Sequence, residues 1–298
     1  MAVLTPAEVR DANVRYHDGA AAGYDAKWSI DFDAVARAQT RRKLETALGG
    51  PAPRFEQALE LGAGTGYFSL NLMLEGLIAQ TTASDISPGM LDALARNAER
   101  LELGVQTLVA DAEALPLPEA SFDLVIGHAI LHHLPDPARA LAECHRVLRP
   151  GGTVVFTGEP SRIGDRLAAF PKRAARATAP LWRRAVGAGR NDHRSSPAGH
   201  DLEGLVDIRV FAAGELGALA REAGFDDVAV HGRELLASWF GWYSRGLECS
   251  AAPTEIPWAW RRFAARGYLA LAQLDHRLLE GRLPADLFYN LSVCGRRP

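Results

Sequence analysis

Short apolar runs alternate with stretches of helical periodicity along most of the chain. Ala58, Leu59 and Leu61 form an apolar run that stops at Gly62, and Tyr67 to Leu74 follows with the spacing of an amphipathic helix. Ala79 to Ser84 predicts a second strand ending at Asp85, after which Ser87-Pro88 offers an N-cap and a first-turn proline to a helix over Met90 to Leu101. Val105 to Ala110, Phe122 to Ile126 and Thr153 to Thr157 read as three further strands. Asp136-Pro137 opens the helix between the last two, and Pro150-Gly151-Gly152 marks a turn. A helix over Ala213 to Ala223, closed by Gly224, leads to a strand at Val228 to His231, and a last strand is expected at Phe288 to Cys294. Upstream, Pro6 to Tyr16 and Phe32 to Leu48 read as helices. Strand and helix in alternation predict a parallel sheet covered by helices on both faces.

Two stretches break the pattern. Residues 161 to 190 hold eight basic side chains against one acid, Asp165, and residues 232 to 287 hold four of the six tryptophans: Trp239, Trp242, Trp258 and Trp260. The length of 298 residues suits one domain with insertions. The expected organisation is a helical N-terminal cap over 1 to 50 and a main domain over 51 to 298, with insertions at about 160 to 209 and 232 to 287. The second insertion is read as a lid over the substrate. Hydrophobic content of 48%, charged content of 23% and a net charge of -3 describe an ordinary globular chain whose bulk charge selects no partner. Cys144, Cys249 and Cys294 are too far apart in sequence to suggest a disulfide framework or a ligand cluster. With no leader pattern and no long apolar span, a soluble cytoplasmic protein is expected.

The chemistry concentrates at the first glycine turn. Gly62, Gly64 and Gly66 can take positive φ and let a nucleotide approach the main chain. A dehydrogenase-type turn wants glycine at its first, third and sixth positions, and the sixth here is Tyr67. Ala58-Leu59-Glu60-Leu61 with these glycines instead resembles the first motif of class I S-adenosylmethionine-dependent methyltransferases. Three further segments follow in that family's order: Asp85 ending the second strand, Asp111-Ala112 ending the third, and Phe122 to Ile126 followed by Leu131-His132-His133-Leu134. The resemblance covers 55 to 158 closely and 210 to 231 loosely, and is nearest to small-molecule enzymes of the quinone-biosynthesis and natural-product type.

The resemblance implies an α/β fold: a Rossmann-like, doubly wound seven-stranded sheet with its last strand antiparallel, plus a helical N-terminal extension and two helical insertions. It also implies S-adenosylmethionine as cofactor. Asp85 would accept from the ribose hydroxyls, Ile86 and Met90 would face adenine, and Asp111 with the Ala112 N–H would read the adenine edge. Glu60, the backbone near Gly62 and His128 would hold the methionine end. Methyl transfer needs mainly orientation. For an acceptor that must lose a proton, His132, His133 or His17 are candidate bases, and Tyr24 is placed where related enzymes set an aromatic over the cofactor. His132 and His133 also read as structural, and Tyr24 as core.

No metal is expected, because His128 and His132 have no evident third ligand. The acceptor is expected to be a small, apolar or aromatic metabolite, its reacting atom left open among oxygen, nitrogen and carbon. Nucleic acid is disfavoured: the segment after the fourth strand reads Gly127-His128-Ala129-Ile130, without the tetrad of base-methylating enzymes. The basic stretch at 161 to 190 reads as a solvated face or as a contact for an acidic carrier protein, a membrane surface or an anionic substrate. The tryptophans fit a lid, a core or a homodimer interface. The rival readings are a non-catalytic S-adenosylmethionine-binding module or partner subunit, and an NAD-dependent dehydrogenase.

Overall fold

The computed structural model describes residues 5 to 28, 30 to 191 and 208 to 298. In chain order its elements are α1 (Pro6–Ala20), α2 (Tyr24–Trp28), α3 (Ala34–Leu48), β1 (Phe55–Leu61), α4 (Tyr67–Leu74), β2 (Ile78–Asp85), α5 (Pro88–Arg100), β3 (Val105–Val109) and β4 (Phe122–His128). Then come α6 (Pro137–Val147), β5 (Leu148–Pro160), α7 (Arg162–Val186), α8 (Ala213–Glu222), β6 (Asp226–Arg233), α9 (Leu236–Glu248), α10 (Trp258–Leu278) and β7 (Asn290–Arg296).

The described chain divides into two compact units, the second made of 160 to 191 and 231 to 291 and the first of the remainder. In the first unit, seven strands run in the order β3-β2-β1-β4-β5-β7-β6. β1 to β5 are mutually parallel and the last strands antiparallel, the α/β Rossmann-like arrangement expected from the sequence. β1 lies between β2 and β4, so the strand order reverses beside its carboxyl end. Open parallel sheets form their ligand crevice at such a reversal.

One layer of core packs Phe68 and Leu72 of α4 and Leu44 and Ala47 of α3 against Phe55, Ala58, Leu124, Ile126 and Val155 of the sheet. Full burial of each large side chain there is worth about 1.5–3 kcal/mol. Local signals set the helix starts. Thr5 and Glu8 form a capping box on α1, Asp33 caps α3, and Ser87 caps α5 with Pro88 in its first turn.

One local expectation needs correction. Pro150-Gly151-Gly152 does not close a turn but lies inside β5: Gly151 takes φ +78° and the pairing with β4 shifts register between Phe122 and Leu124, which absorbs the irregularity within the strand. Residues 162 to 186 form one helix although Pro171 and Pro180 lie within it. In the second unit a stripe of small or compact residues on α7 (Gly164, Ala168, Pro171, Ala175, Ala179) is buried, with Ala175 and Ala179 packed on Leu247 of α9. That packing sustains the helix past its prolines. The N-terminus of α9 is satisfied by Asp275, which accepts from the N–H groups of Leu236 (3.1 Å) and Ala237 (2.9 Å).

Candidate functional site

The turn after β1 is made by backbone that side chains other than glycine resist. Gly62, Gly64 and Gly66 have φ of +59°, +52° and +90°. A Cβ on Gly62 would stand 2.4 Å from Ile130 Cδ1, and one on Gly66 2.6 Å from Leu70 Cδ1. A Cβ on Gly64 would meet nothing within 4 Å, so this glycine faces open space. The Gly64 N–H donates to Asp85 Oδ2 at 2.8 Å, which ties the turn to the end of β2.

Asp85 is buried and its other oxygen accepts from the Ser87 N–H at 2.9 Å. Burial raises its pKa against the pull of these N–H donors and the charge of His17. Glu60, 1% exposed, accepts from the Ser69 N–H at 3.3 Å. Its burial pushes the carboxyl up to about 8, with Asp85 adding a smaller upward push. Ile86 is half-buried beside this pair, whereas Met90 is fully enclosed and shows no surface to a ligand.

At the end of β3, Asp111 Oδ1 accepts from the Glu113 N–H at 2.9 Å and Oδ2 lies 2.7 Å from Nε of Arg10, which also pairs with Glu113. Ala112 is buried. Asp18, two turns beyond Arg10 on α1, accepts from the Ser87 hydroxyl (2.5 Å) and the Gly89 N–H (2.9 Å). α1 is thus fastened over the ends of β2 and β3 by charge at both of its ends.

After β4 the chain makes a single turn of helix, Leu131–His133. Glu159, fully buried near the end of β5, organises it. Oε1 accepts from the N–H groups of Ile130 and Leu131 (3.0 Å each), and Oε2 accepts from the His132 N–H (3.1 Å) and lies 2.8 Å from His132 Nδ1. With both oxygens already accepting, the carboxylate takes the Nδ1 proton as its fourth donor. Nε2 is the ring nitrogen that Glu159 does not hold. The His132 and His133 rings are 4.0 Å apart, His133 stands 5.7 Å from His17, and His17 stands 6.3 Å from Tyr24. All four candidates for acceptor chemistry therefore form one chain of rings. His128 lies apart from it, its Nε2 2.7 Å from Lys43 Nζ and its ring against Tyr67 and Phe68.

Glu159, Arg10, Asp18 and Lys43 escaped the sequence reading. Glu159 had a usable signal, since it is a third acid at the carboxyl end of a parallel strand, as Asp85 and Asp111 are. The other three have none, because they lie on helices whose partners are distant in sequence.

The fold gives the class first: an α/β Rossmann-like methyltransferase fold whose strand order reverses beside β1. Within it, residues 59–156 match the family described as methyltransferase domain. Malonyl-[acyl-carrier protein] O-methyltransferase of Serratia marcescens is 35% identical over 159 residues, 52% of this chain and 60% of that protein. Demethylmenaquinone methyltransferase of Thermus thermophilus is 39% identical over 120 residues, 40% of this chain and 53% of that one. The chain thus spans about three-fifths or less of the length of these relatives. A structure of phosphoethanolamine N-methyltransferase 2 of Haemonchus contortus in complex with S-adenosyl-L-methionine has a TM-score of 0.59 at 16% identity, covering 100% of this chain and 61% of that one. That likeness is one of fold.

Proposed function

We propose that the protein transfers the methyl group of S-adenosylmethionine to a small acceptor, with His132 as the base where the acceptor must lose a proton. The observation that carries this reading is the glycine turn after β1, open at Gly64 and tied to the buried Asp85, with the loop of Ile130 and His132 packed against it and His132 held at Nδ1 by the buried Glu159. The relatives named above are methyltransferases and support the class of reaction.

The residues fit the cofactor. Asp85 accepts from the Gly64 N–H on Oδ2 and the Ser87 N–H on Oδ1, and its carboxylate is suited to accept from the ribose hydroxyls as well. Gly64 leaves room for the ligand's body against the backbone. Ile86 offers apolar surface to the adenine, with Asp111 and the Ala112 N–H at its polar edge, while Met90 backs the pocket from within. Glu60 and the main chain at Gly62 and His128 take the methionine end. A cationic amine near Glu60 favours the ionised carboxylate, so binding at neutral pH should release a proton. When bound, S-adenosylmethionine supplies a methyl group on a sulfonium, an electrophile that needs little activation.

The chain's own part is to orient, to exclude water and to hold a proton. His132 accepts the acceptor's proton at Nε2, and Glu159, bonded to Nδ1, stabilises the imidazolium that results. His133, His17 and Tyr24 wall the acceptor side with rings, which suits an apolar or aromatic metabolite. Calorimetric titration with S-adenosylmethionine and S-adenosylhomocysteine tests the reading. Binding of both, with proton release visible as a dependence of the heat on buffer, is expected; absence of binding at millimolar ligand overturns it.

A further inference from the structure

The second unit has a face that methyl transfer does not use. α7 buries one stripe of small residues, and its opposite face alternates large apolar side chains with arginines. Ile163, Phe170 and Leu181 are 41%, 62% and 73% exposed. Arg166, Arg173 and Arg184 are exposed among them and have no acidic partner among the described residues. From Ile163 to Leu181 the row is about 27 Å long at 1.5 Å per residue. α10 repeats the composition: Trp258 (70% exposed) lies under the Arg262 guanidinium at 5.1 Å, and Phe263 is 56% exposed.

A solvated helix face explains the arginines but not Phe170 and Leu181, large apolar side chains that are 62% and 73% exposed among the described residues. A protein partner engages apolar residues clustered at one desolvated centre. Here they are strung singly along an axis, each flanked by cationic side chains with long apolar stems. That arrangement matches an extended apolar phase under an anionic surface, in which arginines reach outward to phosphates while the apolar tips sink below them.

We propose that the exposed face of α7 docks on an anionic lipid surface, Ile163, Phe170 and Leu181 entering the headgroup boundary and Arg166, Arg173 and Arg184 pairing with phosphates. The contact is peripheral, since no helix among the described residues is long and apolar enough to cross a membrane.

Flotation of the full chain with vesicles tests this. The chain is expected to float with phosphatidylcholine vesicles containing roughly a third phosphatidylglycerol, and much less with phosphatidylcholine alone. Reversing charge at three positions (Arg166→Glu, Arg173→Glu, Arg184→Glu) should weaken partitioning at least about tenfold, as expected when several surface arginines are lost. Phe170→Ser with Leu181→Ser should weaken it several-fold and remove the part that survives high salt. All five positions are exposed, so melting curves should not change. If they do, quenching of tryptophan fluorescence in the unaltered chain by brominated lipid reads the same contact, and no quenching overturns the proposal. Flotation indifferent to Phe170→Ser with Leu181→Ser also overturns it, as bulk attraction only. So does saturable binding of an acidic carrier protein without vesicle binding, or a dimer that the same substitutions split while vesicle binding stays as it was.

Discussion

The two units carry opposite net charge, and the groups that characterise each lie in different surroundings. Among the described residues the first has 17 basic against 25 acidic side chains, and the second 15 basic against 7 acidic. In the first unit the acids that matter, Glu60, Asp85 and Glu159, are buried, and each is held by backbone N–H groups. In the second, Arg166, Arg173 and Arg184 of α7 are exposed. A buried carboxylate has to be satisfied where it lies, so its partners, and hence the site's geometry, are fixed by the fold. An exposed arginine makes no such demand and acquires meaning only from what approaches it. Inside the first unit charge specifies chemistry; on the second it specifies company.

The contrast can be broken most directly at Glu159. Glu159→Ala strips the partner from three backbone N–H groups and from His132, and should cost about 3 kcal/mol or more of stability, read as a large fall in melting temperature. Glu159→Gln keeps a shape and one acceptor, and should recover part of it. A loss below about 0.5 kcal/mol would show that the buried acid is dispensable, as an exposed charge is.

Next is Glu60, whose carboxyl is raised from 4.5 to about 8 by burial. A raised carboxyl adds stability below its unfolded value, and that contribution is lost as the pH climbs towards the folded one, since only the unfolded chain ionises freely in that window. Glu60→Gln is neutral throughout. The variant should therefore gain stability relative to the parent between about pH 5 and pH 8, by at most roughly 1.4 kcal/mol for each pH step of one that is crossed. Parallel melting curves across that range would reject the assignment.

Asp85→Ala should weaken S-adenosylmethionine and S-adenosylhomocysteine alike, by about 1–3 kcal/mol in calorimetric affinity, through the lost hydroxyl acceptors. Gly62→Ala, which brings a Cβ against Ile130 at a positive φ, should cost about 1–2 kcal/mol and be visible in denaturant midpoints. Smallest is Arg15→Ala, which removes an exposed pair with Asp11 at 3.5 Å and should move stability by less than about 0.5 kcal/mol.

Much of the first unit was legible in the sequence, for a physical reason. Strands buried on both faces leave plain apolar runs, glycines mark the turns between them, and acids at strand ends stand out against those runs. This is why Asp85, Asp111 and the Gly62 to Gly66 turn stand out at the ends of their strands, and why the alternation of strand and helix was readable. What remained hidden was pairing across distance. His132 and Glu159 are 27 residues apart, Asp18 and Ser87 69, and Lys43 and His128 85. Periodicity reports which face a residue occupies and says nothing of which other element shares it. α7 was obscured differently. Two prolines lie within it, and only the packed stripe beneath them reveals one continuous helix with a defined outer face.

The bonds around Glu159 also bear on how the chain finds its fold. β5 pairs with β4 so that Gly127 faces Phe156 and His128 faces Thr157. Side chains alternate along a strand, so Glu159 shares a face with Thr157 and Val155. A slip of one residue would turn the carboxylate to the opposite side and bring Gly158 or Pro160 into its place, neither of which can receive a proton donor through its side chain. The loop after β4 would then keep three N–H groups and an imidazole without an acceptor. Misregistered pairing is thereby penalised at the same spot where the chemistry is assembled, and the carboxylate acts as a proofreader of strand alignment as well as a partner of His132.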